Sequence, residues 1–277
     1  MKKNKLIAPF LKWVGGKRQL MPAIKELIPK KYNDYYEPFI GGGAVLFELQ
    51  PKKAIINDFN EELINVYQII KENPEELILD LKTHKNESDY FYHLRALDRE
   101  ESFESMSNVK KASRVIYLNK TCYNGLYRVN NSGEFNSPYG RYKNPNIVNE
   151  TTIRAVSKYL NANNITILNG DFETALEGIK KGDFVYFDPP YHPISSSSNF
   201  TGYIQGGFDI YEQVRLRDLC DELNKKGVSF LLSNSATQFI EDLYKDYKIS
   251  YVKANRSINS NAKKRGEIDE VLIRNYE

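Results

Sequence analysis

Seven short apolar runs, separated by longer amphipathic stretches, constrain this 277-residue chain more than any other feature. They fall at residues 35–40, 54–58, 165–169, 184–187, 229–233, 249–254 and 270–275. Several are apolar at successive rather than alternate positions, as strands buried on both faces of a mostly parallel sheet require. Helical patterns lie between most of them, at 19–27, 45–49 and 211–224. The last has apolar residues at 214, 216, 219 and 223 and a stop at Gly227. Alternation of this kind predicts an open α/β sheet.

Between residues 60 and 150 the alternation breaks. Helical patterns at 61–71, 74–82, 90–97 and 109–118 follow one another, and then 123–149 is polar and rich in Asn, Gly, Tyr and Arg. A loop-rich interval this long inside an α/β domain is usually functional. The expected division is a sheet domain built from 1–59 and 151–277, with 60–150 inserted as a helical subdomain that ends in a hairpin or extended loop.

Composition narrows the function less. A hydrophobic content of 41% supports a packed core, and the net charge of +3 is too small to argue for nucleic acid without local clusters. Cys122, Cys220 and three scattered histidines lack metal-ligand spacing. We therefore expect no metal, and a reducing cytoplasm. No apolar run approaches the roughly 20 residues of a membrane span, and no signal-type segment follows the basic start.

The chemistry concentrates at strand ends. After the run 184–187 come Asp188, Pro189, Pro190 and Tyr191. Prolines lack N–H donors and fix φ, so they leave a rigid loop with free carbonyls. Asp188 adds a carboxylate and Tyr191 a flat face, a set suited to a planar ring bearing an exocyclic amine. A tight turn with a helix cap would use the same residues. Glu37-Pro38-Phe39-Ile40-Gly41-Gly42-Gly43 carries the first run into a glycine turn. Leu46 stands where a dinucleotide fingerprint needs glycine, and no Gly-Lys-Ser/Thr ending gives a phosphate loop. A turn beneath the amino-acid part of S-adenosylmethionine is the remaining candidate. Asp58 ends the next run and could hold ribose hydroxyls, whereas Asp58 or Asn60 could equally cap the following helix. Lys12, Trp13, Gly15, Gly16 and Lys17 form a basic turn, and Gly170-Asp171-Phe172 another strand end. Cations, amides and aromatics interleave over 123–130 and 135–143, a composition that fits phosphates and base edges or a solvated loop. A second basic run, Lys263-Lys264-Arg265, precedes the last strand.

In this order the motifs resemble the Dam family of alpha-class DNA adenine-N6 methyltransferases, closest to the GATC-modifying methylases of DpnII-type restriction systems. The residues that carry the resemblance are Lys12-Trp13 with Gly15-Gly16-Lys17, the 37–43 turn, Asn57-Asp58 with Asn60, Tyr123-Asn124-Gly125-Leu126 with Arg128, Phe135-Asn136 with Pro138 and Gly140, Gly170-Asp171-Phe172, and Asp188-Pro189-Pro190-Tyr191. The resemblance implies a seven-stranded, mostly parallel, Rossmann-like class I methyltransferase sheet with an inserted DNA-recognition subdomain. It implies S-adenosylmethionine as cofactor, held by Trp13, Lys17, Phe39, Gly41, Gly43, Asp58, Phe172 and Asp188. Asp188 and the Pro189 carbonyl would hold the target amine, with Pro190 in the same loop and Tyr191 stacking on a flipped adenine. Lys12, Tyr123, Asn124, Leu126, Arg128, Pro138, Arg141 and Lys143 would meet duplex DNA. The implied setting is a bacterial or phage-encoded protein at the nucleoid, with a restriction endonuclease as a partner it could have. Methylation of RNA, of cytosine N4 or of a protein amide, nicotinamide chemistry, and DNA binding without catalysis are the rivals.

Overall fold

The computed structural model describes residues 3–13, 15–194, 208–255 and 267–277. In chain order the elements are α1 (Met21–Leu27), β1 (Tyr35–Glu37), α2 (Ala44–Leu49), β2 (Lys53–Asp58), α3 (Glu61–Glu72), α4 (Pro74–Leu81), α5 (Ser88–Ala96), α6 (Asn108–Thr121), α7 (Glu150–Ala162), β3 (Asn164–Asn169), β4 (Phe184–Phe187), α8 (Ile210–Lys226), β5 (Ser229–Ser235), α9 (Gln238–Leu243), β6 (Lys248–Asn255) and β7 (Glu267–Arg274). All seven expected strands are present. They form one sheet in the order β3-β2-β1-β4-β5-β7-β6. β1 to β5 run parallel, and β7 runs antiparallel to both β5 and β6. This is the Rossmann-like methyltransferase arrangement that the motifs imply.

Side-chain alternation along the strands divides the core between the two faces. Tyr35, Phe184, Tyr186, Leu231 and Leu272 pack on one side with α1, α2 and the helices of the 60–150 interval. Tyr36, Val185, Phe187, Phe230, Leu232, Val271 and Ile273 pack on the other with α8 and α9. β4 is buried throughout, which explains its unbroken apolar run. Burying each such side chain contributes about 1.5–3 kcal/mol.

Three local readings change. α7 replaces a segment that the sequence pattern leaves unassigned; Ile153, Val156, Tyr159 and Leu160 face the core, and Asn149 Oδ1 caps it by accepting from Thr152 N. α9 is also new, capped by Thr237. Within α8 the buried positions are Gln213, Leu216, Cys220 and Leu223, whereas Val214 is exposed. The helix phase therefore puts an amide, not a valine, into the interior.

The first buried cluster runs without a break from the sheet into the insert. It includes Leu63, Val66 and Ile70 of α3, then Phe91, Tyr117, Tyr127 and Phe135. Arg114, 1% exposed, ties these pieces together. Its guanidinium donates to the Leu94 and Arg95 carbonyls at 2.7 and 3.0 Å. It also pairs with Glu62 of α3 at 3.1 Å and Asp98 at 2.7 Å. Each carboxylate in turn holds one limb of a hairpin that follows α6. Tyr127 Oη donates to Glu62 at 2.7 Å, and Phe135 N donates to Asp98 at 2.7 Å. A buried charge is stable only when paired and hydrogen-bonded, and each guanidinium nitrogen of Arg114 has at least one partner.

Candidate active site

In a sheet of this order, β1 and β4 are neighbours whose connections leave in opposite directions. The crevice beyond their carboxyl ends is where open α/β sheets bind ligands. The Gly41–Gly43 turn follows β1, Asp58 ends β2, Phe172 follows β3, and Asp188 follows β4. Four of the expected site segments thus meet at one edge because four parallel strands end there.

Pro38 ends β1 early, and the chain then turns sharply. Gly43 N donates to the Ile40 carbonyl at 2.8 Å, and Gly41 and Gly43 have φ of +47° and +71°. A Cβ on Gly41 would lie 2.9 Å from Trp13 Cδ1. One on Gly43 would lie 2.6 Å from Tyr67 Oη and 2.7 Å from the Phe47 ring. Both glycines are required by conformation and by space. Asp58 braces the turn, since its Oδ2 accepts from Gly41 N at 2.9 Å and its Oδ1 from Asn60 N at 3.0 Å. The helix cap is Asn60, whose Oδ1 accepts from Leu63 N at 2.9 Å. The cap therefore belongs to Asn60, and Asp58 takes no part in it. Burial pushes its carboxyl up to about 6 even though backbone N–H groups oppose the shift.

Phe39 and Phe172 approach to 5.3 Å between ring centres, and Phe208 closes the cluster at 5.7 Å from Phe39 and 6.0 Å from Phe172. Nothing in the sequence pattern singles out Phe208. Arg215 covers the Phe172 ring at 4.3 Å and is itself held by Asp171, Glu173 and Glu212.

At the end of β4, Asp188 is partly exposed while Lys17 is buried. Lys17 Nζ lies 2.6 Å from Asp188 Oδ1, donates to the Gly15 carbonyl at 2.6 Å, and sits 4.7 Å from the centre of the Tyr191 ring. Burial raises the Asp188 carboxyl above its usual range, and the Lys17 ammonium offsets part of that effect. Tyr191 Oη donates to Glu270 of β7 at 2.8 Å, which anchors the tip of the side chain. Among the described residues no donor engages the Pro189 carbonyl. Glu37, fully buried behind the site, accepts from Tyr35 Oη at 2.7 Å, and its carboxyl is raised well above the usual range by burial.

The residues expected to meet DNA gather around the hairpin. Lys12 docks by its backbone: its N–H donates to Asn119 Oδ1 at 2.9 Å, and its carbonyl accepts from Asn119 Nδ2 at 2.8 Å. Its side chain covers Gly125, where a Cβ would meet Lys12 Cδ at 2.5 Å. Tyr123 and Asn124 are exposed on a 3₁₀ turn, Tyr123 N donating to the Pro138 carbonyl at 2.8 Å and Asn124 N to Tyr142 Oη at 2.9 Å. Arg128 is exposed, and its Nε and Nη2 donate across the hairpin to Asn136 Oδ1 and O at 2.6 and 3.1 Å. Along each limb exposure alternates: Tyr127, Phe135 and Ser137 point inward, and Arg128 and Pro138 outward. Leu126 is half-buried, and Arg141 and Lys143 are exposed on the segment that follows. Lys263, Lys264 and Arg265 lie outside the described residues.

Trp13 joins the two regions, a role the sequence does not reveal. Its indole packs over the Gly41–Gly42 backbone and stacks on Tyr127 at 4.9 Å with an interplanar angle of 26°.

A family model described as D12 class N6 adenine-specific DNA methyltransferase matches residues 13–258. The Type II methyltransferase M1.LlaDCHI of Lactococcus lactis subsp. cremoris is 51% identical over 279 residues, covering 100% of this chain and 98% of that protein. The Type II methyltransferase M.MjaIII of Methanocaldococcus jannaschii is 43% identical, with 98% and 99% covered. A DNA adenine methylase of Serratia marcescens is 37% identical, with 98% of each chain covered. Similarity of this extent, over a chain whose strand-end motifs converge on one crevice, means that the protein belongs to the D12 class of N6 adenine-specific DNA methyltransferases.

Proposed function

We propose that this adenine-specific DNA methyltransferase transfers the methyl group of S-adenosylmethionine to adenine N6 in duplex DNA, at GATC, after the base is turned out of the helix. The observation that carries the reading is the pair of acceptors at the end of β4: the Asp188 carboxylate and the Pro189 carbonyl, which no donor engages among the described residues, followed by the anchored side chain of Tyr191. An exocyclic amine offers two N–H donors, and this loop offers two acceptors for them.

The crevice suits the cofactor. Asp58 presents a carboxylate to ribose hydroxyls, the glycine turn admits close approach of a ligand, and half-buried Phe39 supplies a flat apolar face for an adenine, with the buried Phe172 packed beside it. Trp13 and Lys17 would complete the wall. When bound, S-adenosylmethionine supplies a methyl group activated by a sulfonium. The rest of the chemistry belongs to the chain. The adenine N6 lone pair is delocalised into its ring, and hydrogen bonds from both N–H groups to Asp188 and Pro189 favour a more tetrahedral, more nucleophilic nitrogen. Those acceptors also face the positive charge that develops there; as the new C–N bond forms the methyl–sulfur bond breaks to leave a thioether, and the surplus N6 proton is released to solvent. Tyr191 holds the ring in line, so much of the acceleration is positional.

A base stacked in a duplex cannot enter such a crevice, so it must be extruded. In this reading residues 60–150 carry recognition. Arg128, held by Asn136, would read a guanine, Lys12 the guanine of the first pair, and Leu126 and Pro138 a thymine methyl. Tyr123 and Asn124 would border the vacated stack, and Arg141 and Lys143 would meet phosphates. The preference for GATC rests on the resemblance in these motifs. The name Type II methyltransferase, carried by two relatives, supports a role beside a restriction endonuclease. No helix of the described residues is long and apolar enough to cross a membrane.

The test is incubation with methyl-labelled cofactor and mixed-sequence duplex DNA, followed by nucleoside analysis and site mapping. N6-methyladenine confined to GATC is expected. Label on cytosine, RNA or protein alone would overturn the reaction, and N6-methyladenine at another site would overturn the specificity.

A further inference from the structure

We propose that Gln213 of α8 and Asn234 of β5 are positioning residues that set the direction of the Pro189 carbonyl. The inference rests on the reading of 188–191 as the catalytic loop. Both side chains are fully buried, and both are polar where the helix or strand pattern calls for an apolar residue. Gln213 Nε2 donates to the Pro190 carbonyl at 2.9 Å. Asn234 Nδ2 donates to Gln213 Oε1 at 3.1 Å. Asn234 Oδ1 accepts from His192 N at 3.0 Å and from Ser235 N at 2.9 Å. The result is a closed ring that begins at one loop carbonyl and returns to a loop N–H two residues later.

The direction of every bond in this ring is forced. A carbonyl can only accept, so Gln213 must turn its amide nitrogen to Pro190 and its oxygen to Asn234. Asn234 must then turn its nitrogen to Gln213, which leaves its oxygen for His192 N–H, a group that can only donate. No alternative flip satisfies both ends. A buried amide left unsatisfied costs about 1–3 kcal/mol, so the loop cannot rotate away without breaking the set.

The ring acts one residue downstream of the group that matters. φ of Pro190 is fixed by its pyrrolidine. With φ fixed, ψ of Pro190 is the one soft torsion between the held carbonyl and the Pro189–Pro190 peptide plane, so the clamp restricts the orientation of that plane. The Ser235 hydroxyl completes the anchoring by donating to the His192 carbonyl at 2.5 Å. Held in this way are Pro190 O, His192 N and His192 O, while the Pro189 carbonyl has no partner among the described residues. The clamp aims an acceptor that it does not itself touch.

Gln213→Met keeps the length of the side chain and removes the donor. Asn234→Asp keeps the acceptor for His192 and removes the donor to Gln213. For each folded variant, binding of S-adenosylmethionine is measured by calorimetry, duplex affinity by titration, and methyl transfer in a single turnover. A misplacement of about 1 Å can cost roughly a hundredfold in rate. The single-turnover rate should therefore fall about a hundredfold in both variants, with both affinities within about threefold of wild type. A single-turnover rate within threefold of wild type in either folded variant would overturn the clamp, as would a rate loss matched by an equal loss of cofactor affinity. Should Gln213→Met fail to fold, Asn234→Asp alone decides by the same criteria. Asp188→Ala, run in parallel, separates the two levels of the argument. Turnover retained without Asp188 defeats the reading of the loop itself, whereas turnover lost with Asp188 but kept in the Gln213 and Asn234 variants defeats only the clamp.

Discussion

Asp58→Asn separates the charge of this residue from its shape. In the protein the carboxylate accepts from Gly41 N and Asn60 N at 2.9 and 3.0 Å, and burial carries its pKa from an ordinary 3.8 to about 6. The folded state therefore binds this proton more tightly than the unfolded chain does. The stability it contributes is fully present below 3.8 and is lost as pH rises through about 6. The gap corresponds to on the order of 2–3 kcal/mol. Other buried carboxyls titrate as well, but they are common to both proteins, so the difference between wild type and variant isolates Asp58. The variant also leaves one backbone N–H facing an amide NH₂, an offset that does not change with pH. Denaturant unfolding from about pH 3.5 to 7.5 should show the wild type losing about 2–3 kcal/mol relative to the variant. Binding should move the other way, because the ionised carboxylate is the better acceptor for ribose hydroxyls. Near neutral pH the variant should bind S-adenosylmethionine about ten- to a hundredfold more weakly, the worth of a charge-assisted hydrogen bond. The wild-type affinity should fall as pH drops below about 6, and that of the variant should not. A stability difference that stays flat with pH, together with affinities within twofold, would refute the reasoning and leave Asp58 as a brace for the glycine turn alone.

Asp188→Ala should abolish methyl transfer in a chain that still folds, although the stranded Lys17 ammonium will lower the melting temperature; wild-type turnover would remove Asp188 from the mechanism. Gly43→Ala should cost about 2–4 kcal/mol, since its Cβ would meet Tyr67 Oη at 2.6 Å at a φ of +71°. Gly133→Ala, at φ +82° with nothing within 4 Å, should cost only about 1–2 kcal/mol; equal losses would mean that backbone strain, not space, sets the price. Arg128→Ala should relax selectivity at one outer base pair of the proposed GATC site by about 1–3 kcal/mol while the other pairs stay discriminated. Relative rates on single-substituted sites measure this, and a uniform slowing would reduce Arg128 to a positioning contact.

The strands were readable because burial on both faces leaves an unbroken apolar run, as at Phe184–Phe187. The strand-end motifs were readable because each needs an unusual residue: proline without an N–H, glycine at positive φ, or an acid at the close of an apolar run. α7 escaped because its buried face includes Thr152 and Ser157 and it follows a long polar stretch. The cap at Asn149 and the spacing of Ile153, Val156 and Leu160 were nevertheless there to be found. Gln213 escaped for a different reason. Apolar periodicity assigns a buried phase to hydrophobic positions, so it moved the helix face towards Val214; only the 213, 216, 220, 223 spacing shows that the amide belongs inside.

Long-range pairing lay beyond any reading of pattern. Periodicity reports which face of an element is buried, not what covers it. The three residues that tie the hairpin to α3 and to the wall of the crevice are polar or aromatic types with many ordinary uses: Arg114, Tyr127 and Trp13. Their arrangement has an energetic consequence. Tyr127 neighbours Arg128 in the hairpin, donates to the Glu62 carboxylate that Arg114 also holds, and stacks on the indole that covers Gly41 and Gly42. Moving this limb of the hairpin would therefore break a buried charge-assisted bond and uncover an indole face together. The first costs about 1.5–3 kcal/mol, and the ring contact adds about 0.5–1.5 kcal/mol. That sum is large beside the total stability of a domain, so the hairpin is a fixed part of the wall of the crevice. In the proposed reading, adjustment to DNA then falls to the exposed side chains of Arg128, Tyr123 and Lys12, each mounted on a backbone that is already pinned.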